Sequence, residues 1–122
     1  MTNGAFTFVL HSHLPYARQS GMWPHGEEWV HEAISETYLP LLNALYDLKN
    51  EGVAYRLTVS ITPILAEQLD DPLIKDHFET YAHERSVWAT ADIDRFAASG
   101  DEKLKELAAF YPELPRETIH AC

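Results

Sequence analysis

Two histidines, His11 and His13, stand two residues apart in the stretch FVLHSHLPY, where an apolar run stops. Side chains two apart on a strand point the same way, whereas on a helix they do not. At a strand end the pair therefore presents two imidazoles to one space. A neutral imidazole offers one donor and one acceptor, which suits the hydroxyls of a polyhydroxylated ligand. Two imidazoles on one face can equally share Zn²⁺ or Fe²⁺, but such a site needs further ligands, and no other paired His, Asp or Cys pattern occurs in the chain. The plain alternative is a pair of loop or core histidines satisfied by hydrogen bonds. Trp23, within GMWPHG, is a candidate platform for the C–H face of a sugar, and as readily a ring packed beneath a loop. His25, His31, His77, His83 and His120 are scattered, mostly on what read as solvated helix faces.

The elements that must hold these residues follow from the patterning. Ala5 to Leu10 is short, aromatic and β-branched, which predicts a strand covered on both faces, the first of a parallel sheet. His11 to Gly26 has prolines, glycines and no periodicity, so it reads as a loop of 16 residues, longer than the usual connection of about 2–6 and for that reason a candidate functional loop. Trp29, Ala33, Thr37, Leu41, Leu45 and Leu48 then recur at helical spacing. Pro40 must kink or divide that helix, and Gly52 is suited to end it. Tyr55 to Ile61 reads as a second strand. Thr62-Pro63 and Asp71-Pro72 each combine an N-cap with a proline at the first helical position. The second of these opens a helix with the stripe Ile74, Phe78, Tyr81 and Trp88, extending toward Phe96. A last amphipathic piece, with Leu104, Leu107, Ala108 and Tyr111, stops at Pro112. Glu27, Glu28, Glu32 and Glu36 read as the first turns and polar face of a helix.

Composition narrows the partners. The chain has 122 residues, 46% of them hydrophobic, and a formal charge of −10, which disfavours nucleic acid and anionic membrane surfaces. The single cysteine, Cys122, permits no internal disulfide, so a reducing, cytoplasmic setting is expected. No apolar run is long enough to span a bilayer, and the N-terminus lacks the order of a signal peptide. Strand, helix, strand, helices is the order of an α/β protein. Two strands cannot close a barrel or bury several amphipathic helices, so the expectation is an N-terminal portion of a larger domain that ends before a third strand. Its open strand edges predict instability or self-association unless the remainder of the barrel is present.

The run TFVLHSHLPYARQSGMWPHGEEWVHEAISETYLPLLNAL, followed by LTVSITPILAEQL and HFETYAHER, resembles the N-terminal part of glycoside hydrolase family 57, in particular its 1,4-α-glucan branching enzymes. The HSHLPY motif, the WP.GEEW..EAI.ETYLPLL helix and the S.TP.L.EQL turn occur in order over residues ~5–110. The resemblance implies an incomplete (β/α)7 barrel, of which this chain supplies about two βα units. It also implies an α-glucan substrate and a retaining double displacement, with no metal or cofactor for chemistry. The two carboxylates of such a mechanism stand about 5–5.5 Å apart and lie on the family's fourth and seventh strands, so no catalytic residue is assigned here. The resemblance carries over His11 as a contact to sugar hydroxyls, His13 as support for the loop, and Trp23 as an aromatic near the substrate groove. Metal-dependent polysaccharide deacetylases have a related barrel and keep the metal alternative open. An inert or weakly glucan-binding truncated product is the non-enzymatic alternative.

Overall fold

The computed structural model describes residues 4–110. Strand β1 (Val9–Ser12) and strand β2 (Thr58–Ile61) form a two-stranded parallel sheet. Helix α1 (Glu28–Ala33), a π-helical segment (Ile34–Tyr38) and helix α2 (Leu39–Asn50) make the crossover between them. Helices α3 (Pro63–Asp70), α4 (Pro72–Ser99) and α5 (Glu102–Phe110) follow, with α4 contacting both α3 and α5.

Register places Val9 opposite Thr58, Leu10 opposite Val59, His11 opposite Ser60 and Ser12 opposite Ile61. The ladder runs one bond further, where the Thr62 N–H donates to the Ser12 carbonyl at 3.1 Å. The expected first strand therefore begins later than the apolar run does, and it takes His11 into the strand proper. Phe6 and Phe8, expected to be covered on both faces, are exposed, Phe6 to 87%. With one neighbouring strand and helices on one side, the sheet has no second layer to receive them. The second strand is likewise shorter than Tyr55 to Ile61.

Pro40 acts as expected, with a specific form. In an uninterrupted α-helix its ring would crowd the Glu36 carbonyl and offer it no donor. The π-helical turn over Ile34–Tyr38 absorbs this, and α2 restarts with Pro40 in its first turn. Gly52, at φ +75°, ends α2. Its N–H donates to Lys49 and the Val53 N–H to Leu48, the paired bonds that satisfy last-turn carbonyls. Asp71 caps α4 by accepting from the Leu73 N–H at 2.8 Å. Thr62 occupies the cap of α3, but its hydroxyl is buried without a hydrogen-bond partner among the described residues.

The buried centre lies beneath the long loop. Ala17 from the loop, Val30 from α1 and Ile74 from α4 are buried together, with Leu14, Ile34 and Leu69 packed against them. Along α4 the buried stripe is Ile74, Phe78 and Ala82. Trp88, expected on that stripe, is 55% exposed, because α1 covers only the first turns of this long helix. On α5, Ala108 is buried while Leu104 and Leu107 are exposed. Tyr111, Pro112 and the tail beyond them lie outside the described residues.

Candidate functional site

Because β1 and β2 alternate in phase, Leu10, Ser12, Val59 and Ile61 share one face. That face meets Leu41, Leu45 and Leu65 around an apolar cavity of about 500 Å³. The opposite face carries His11 beside Ser60. The His11 Nδ1 lies 3.2 Å from the Ser60 Oγ, and the His11 and His13 rings stand 5.3 Å apart, tilted by 31°. Both imidazoles are exposed. The two-residue spacing thus brings the pair together as expected, at the C-terminal end of β1. A hydroxyl that fixes one ring nitrogen of His11 orients the ring and leaves the other nitrogen for a ligand.

The loop after His13 is tied down by α3 and its junction with α4. Gln68 is fully buried. Its side-chain oxygen accepts from the Ala17 N–H at 2.7 Å, and its NH₂ donates to the carbonyls of Pro15 at 3.1 Å and Ile64 at 3.3 Å. One amide thus satisfies both a donor and an acceptor of loop backbone where the loop dips inward at the buried Ala17. Arg18 then pairs with Asp71, the same residue that caps α4.

Trp23 sits on a smaller closed turn. The Glu27 N–H donates to the Gly21 carbonyl at 2.9 Å and the Glu28 N–H to the Met22 carbonyl at 3.1 Å. Gly26 closes the turn so tightly that a Cβ there would fall 1.8 Å from the Gly21 oxygen. Gly26→Ala is therefore expected to cost about 1–3 kcal/mol, as overpacking against a fixed backbone does. A denaturant melt measures it, and an unchanged midpoint would mean the turn is looser than described. The Trp23 indole itself is 75% exposed. None of the ring contacts among the described residues joins it to either histidine, so the structure does not bring the three candidate residues into one cluster.

Of the histidines read as solvated, His31 is buried and His77 is only partly exposed. His31 is fully buried against Phe78 and Tyr81, with ring centroids 5.9 and 5.4 Å away. Among the described residues, neither of its nitrogens has a hydrogen-bond partner. Burial pushes its pKa below the ordinary value, the charge of Glu27 pulls it back up, and His77 adds a smaller downward push. His77 on α4 places its Nδ1 2.5 Å from the Glu27 carboxylate, whose Oε2 lies 4.0 Å from the His31 Nε2. Glu27, expected on a polar face, is only 6% exposed. Glu28 also turns inward, meeting Arg85 at 2.5 Å. Arg85 in turn lies over the rings of Tyr81 and Trp88. Glu32 and Glu36 stay half-buried and exposed, respectively. Among the described residues, no group of three or more His, Cys, Asp or Glu is arranged to hold a metal ion. Nor is any described helix long and apolar enough to cross a membrane.

The sequence pattern described as Glycosyl hydrolase family 57 matches residues 7–118. The chain belongs to that family. A 1,4-alpha-glucan branching enzyme of Thermococcus kodakarensis is 50% identical over 100 residues, which make up 82% of this chain and 14% of that enzyme. A probable 1,4-alpha-glucan branching enzyme of Mycobacterium tuberculosis is 46% identical over 69 residues, or 57% of this chain and 13% of its own length. Among solved structures, the GH57-type branching enzyme from Pyrococcus horikoshii superposes with a TM-score of 0.86 at 46% identity, covering 92% of this chain and 21% of that one. The alpha-amylase AmyC from Thermotoga maritima gives 0.81 at 29% identity, covering 94% and 21%. This family 57 chain therefore spans about a seventh of the curated relatives' length and about a fifth of the solved structures'.

Sequence reading located His11, His13 and Trp23 in this family 57 segment but missed the residues that hold them. Ser60 was detectable in principle, since it lies on the second strand at the position paired with His11. Gln68 lies within S.TP.L.EQL, where a polar residue one turn beyond Ile64 gave no sign that it faces inward. Glu27 and His77 are 50 residues apart, a separation that no periodicity bridges.

Proposed function

We propose that this chain is the N-terminal part of an α-glucan branching enzyme and supplies two βα units of an incomplete (β/α)7 barrel. The observation that carries the reading is the 50% identity over 100 residues to a 1,4-alpha-glucan branching enzyme. A solved relative from Thermococcus kodakaraensis, a GH57 branching enzyme in complex with glucose, aligns over 91% of this chain. In this reading the face bearing His11, His13 and Ser60 looks into the substrate space, while the face bearing Leu10 and Val59 packs on the helices. His11 donates to or accepts from sugar hydroxyls near the reacting bond. His13 supports the turn into the loop, and Trp23 offers its exposed ring to the C–H face of a glucosyl unit.

A retaining transfer needs a carboxylate nucleophile and a second carboxyl group as acid and then base, about 5–5.5 Å apart. We assign neither role to a residue of this segment. Both belong to the family's later strands, and the segment contributes binding and orientation. Identity is higher to the branching enzymes, at 40–50%, than to the amylase, at 29%, which favours transfer over hydrolysis.

The test is to give amylose to the full-length protein that carries this segment. Loss of iodine colour with new α-1,6 branch points and little new reducing sugar is expected. Hydrolysis without branch points would assign it to the amylase class instead. Stoichiometric zinc or iron, lost together with activity on chelation and restored with it, would overturn the sugar-contact reading in favour of deacetylase-like chemistry.

A further inference from the structure

We propose that Glu27 and His77 are a positioning pair for Trp23, fixing the Gly21–Gly26 turn against α4 so that the indole is held ready for a glucosyl ring. The inference rests on the α-glucan reading above and adds to it how the platform is held. Trp23 has 75% of its surface exposed and gains no support from neighbouring rings, so its place is set by its backbone. That backbone is bound into the start of α1, through the two N–H bonds that Glu27 and Glu28 make to Gly21 and Met22 and through the missing side chain of Gly26. The turn and the first residues of α1 consequently move as one body.

Val30 beside Ile74 and His31 against Phe78 and Tyr81 pack α1 onto α4, and two charged pairs add directional contacts at its start. In the Glu28 to Arg85 pair the two side chains are 12% and 43% exposed, and in the Glu27 to His77 pair, which meets at 2.5 Å, 8% and 33%. Exposed pairs contribute little, so the somewhat more buried Glu27 to His77 contact is the better placed of the two to hold the start of α1. On its own helix Glu27 faces His31 at 4.0 Å. A carboxylate taken out of water costs free energy unless it is bonded, and an apolar pair of similar volume would stabilise at least as well. What a directional bond supplies is a fixed distance and angle. Here it fixes the start of α1 onto a 28-residue helix, a bar stiff enough to serve as a reference for the turn.

The experiment uses the full-length protein with His77→Leu and His77→Ala, which remove the donor, and His77→Asn, whose amide N–H reaches the same oxygen. With either donor-less variant, KM for amylose is expected to rise about 2–10-fold, the span of one lost ring contact, with kcat held within about twofold. His77→Asn is expected to restore KM. In a Trp23→Ala background the same substitutions are expected to add nothing, because they act through the ring already removed. Hydrogen exchange over residues 21–28, measured without glucan, is expected to quicken with Leu or Ala at position 77 and not with Asn. Unchanged exchange, or KM effects of Trp23→Ala and His77→Ala that multiply independently, would overturn the proposal. Quickened exchange with KM unaffected by Trp23→Ala would instead overturn the platform role of Trp23, the reading on which the proposal rests.

Discussion

Replacing His11 by alanine in the full-length protein is expected to lower kcat/KM on amylose by about 10²–10³, the loss that follows removal of one preorganised hydrogen bond to a transition state. The imidazole sits on the sheet face away from the helices, and its Nδ1 lies 3.2 Å from the Ser60 hydroxyl. The ring is thereby oriented before substrate arrives, and the remaining nitrogen faces outward. Steady-state kinetics beside a melting curve measure the effect. The melting temperature is expected to stay close to the parent's, because the His11 side chain is exposed and contributes little packing. Ser60→Ala is expected to give a smaller loss in the same direction, since it frees the ring to rotate without removing it. An unchanged kcat/KM for His11→Ala would mean that substrate does not reach this face.

The second large effect concerns stability. Gln68→Leu is expected to cost about 1–3 kcal/mol, because the substitution leaves the buried Ala17 N–H without a partner, while the carbonyl of the exposed Pro15 can turn to water. Leucine fills a similar volume, so the loss cannot be ascribed to a cavity. Gln68→Glu keeps an acceptor for the Ala17 N–H but sets a buried carboxylate against the carbonyl oxygens of Pro15 and Ile64. At neutral pH it is expected to be no more stable than Gln68→Leu, because a buried charge without a partner costs more than an apolar side chain of similar size. Denaturant midpoints read the order directly, and a leucine variant as stable as the parent would show that the loop is held by its apolar contacts alone.

The parts of this structure legible in the sequence are those that local rules decide. Proline and glycine marked the ends of α2, α3 and α4, because each acts through its own backbone. The two-residue spacing brought His11, in β1, and His13, just past its end, together with rings 5.3 Å apart, as extended backbone does. The extent of β1 was misjudged for the opposite reason. Phe6 and Phe8 have the composition of a covered strand, yet pairing is a property of two segments, and β2 offers partners only from Thr58 to Ile61. The fate of Glu27, His31 and His77 was hidden in the same way. Each has the character of a surface residue, and only the approach of α4 to the start of α1 buries Glu27 and His31 and partly covers His77. Trp88 shows the converse error, an apolar residue at the correct helical spacing that extends past the segment covering it.

The central claim is that the face bearing His11 and His13 contacts sugar. The measurement that tests it most directly is a crystal structure of the full-length protein with a bound malto-oligosaccharide. The expected result is a glucosyl hydroxyl within hydrogen-bonding distance of His11, about 2.7–3.2 Å, with Ser60 still against the other side of the ring. An oligosaccharide seated away from this sheet face, with His11 and His13 instead sharing a metal ion, would contradict the account.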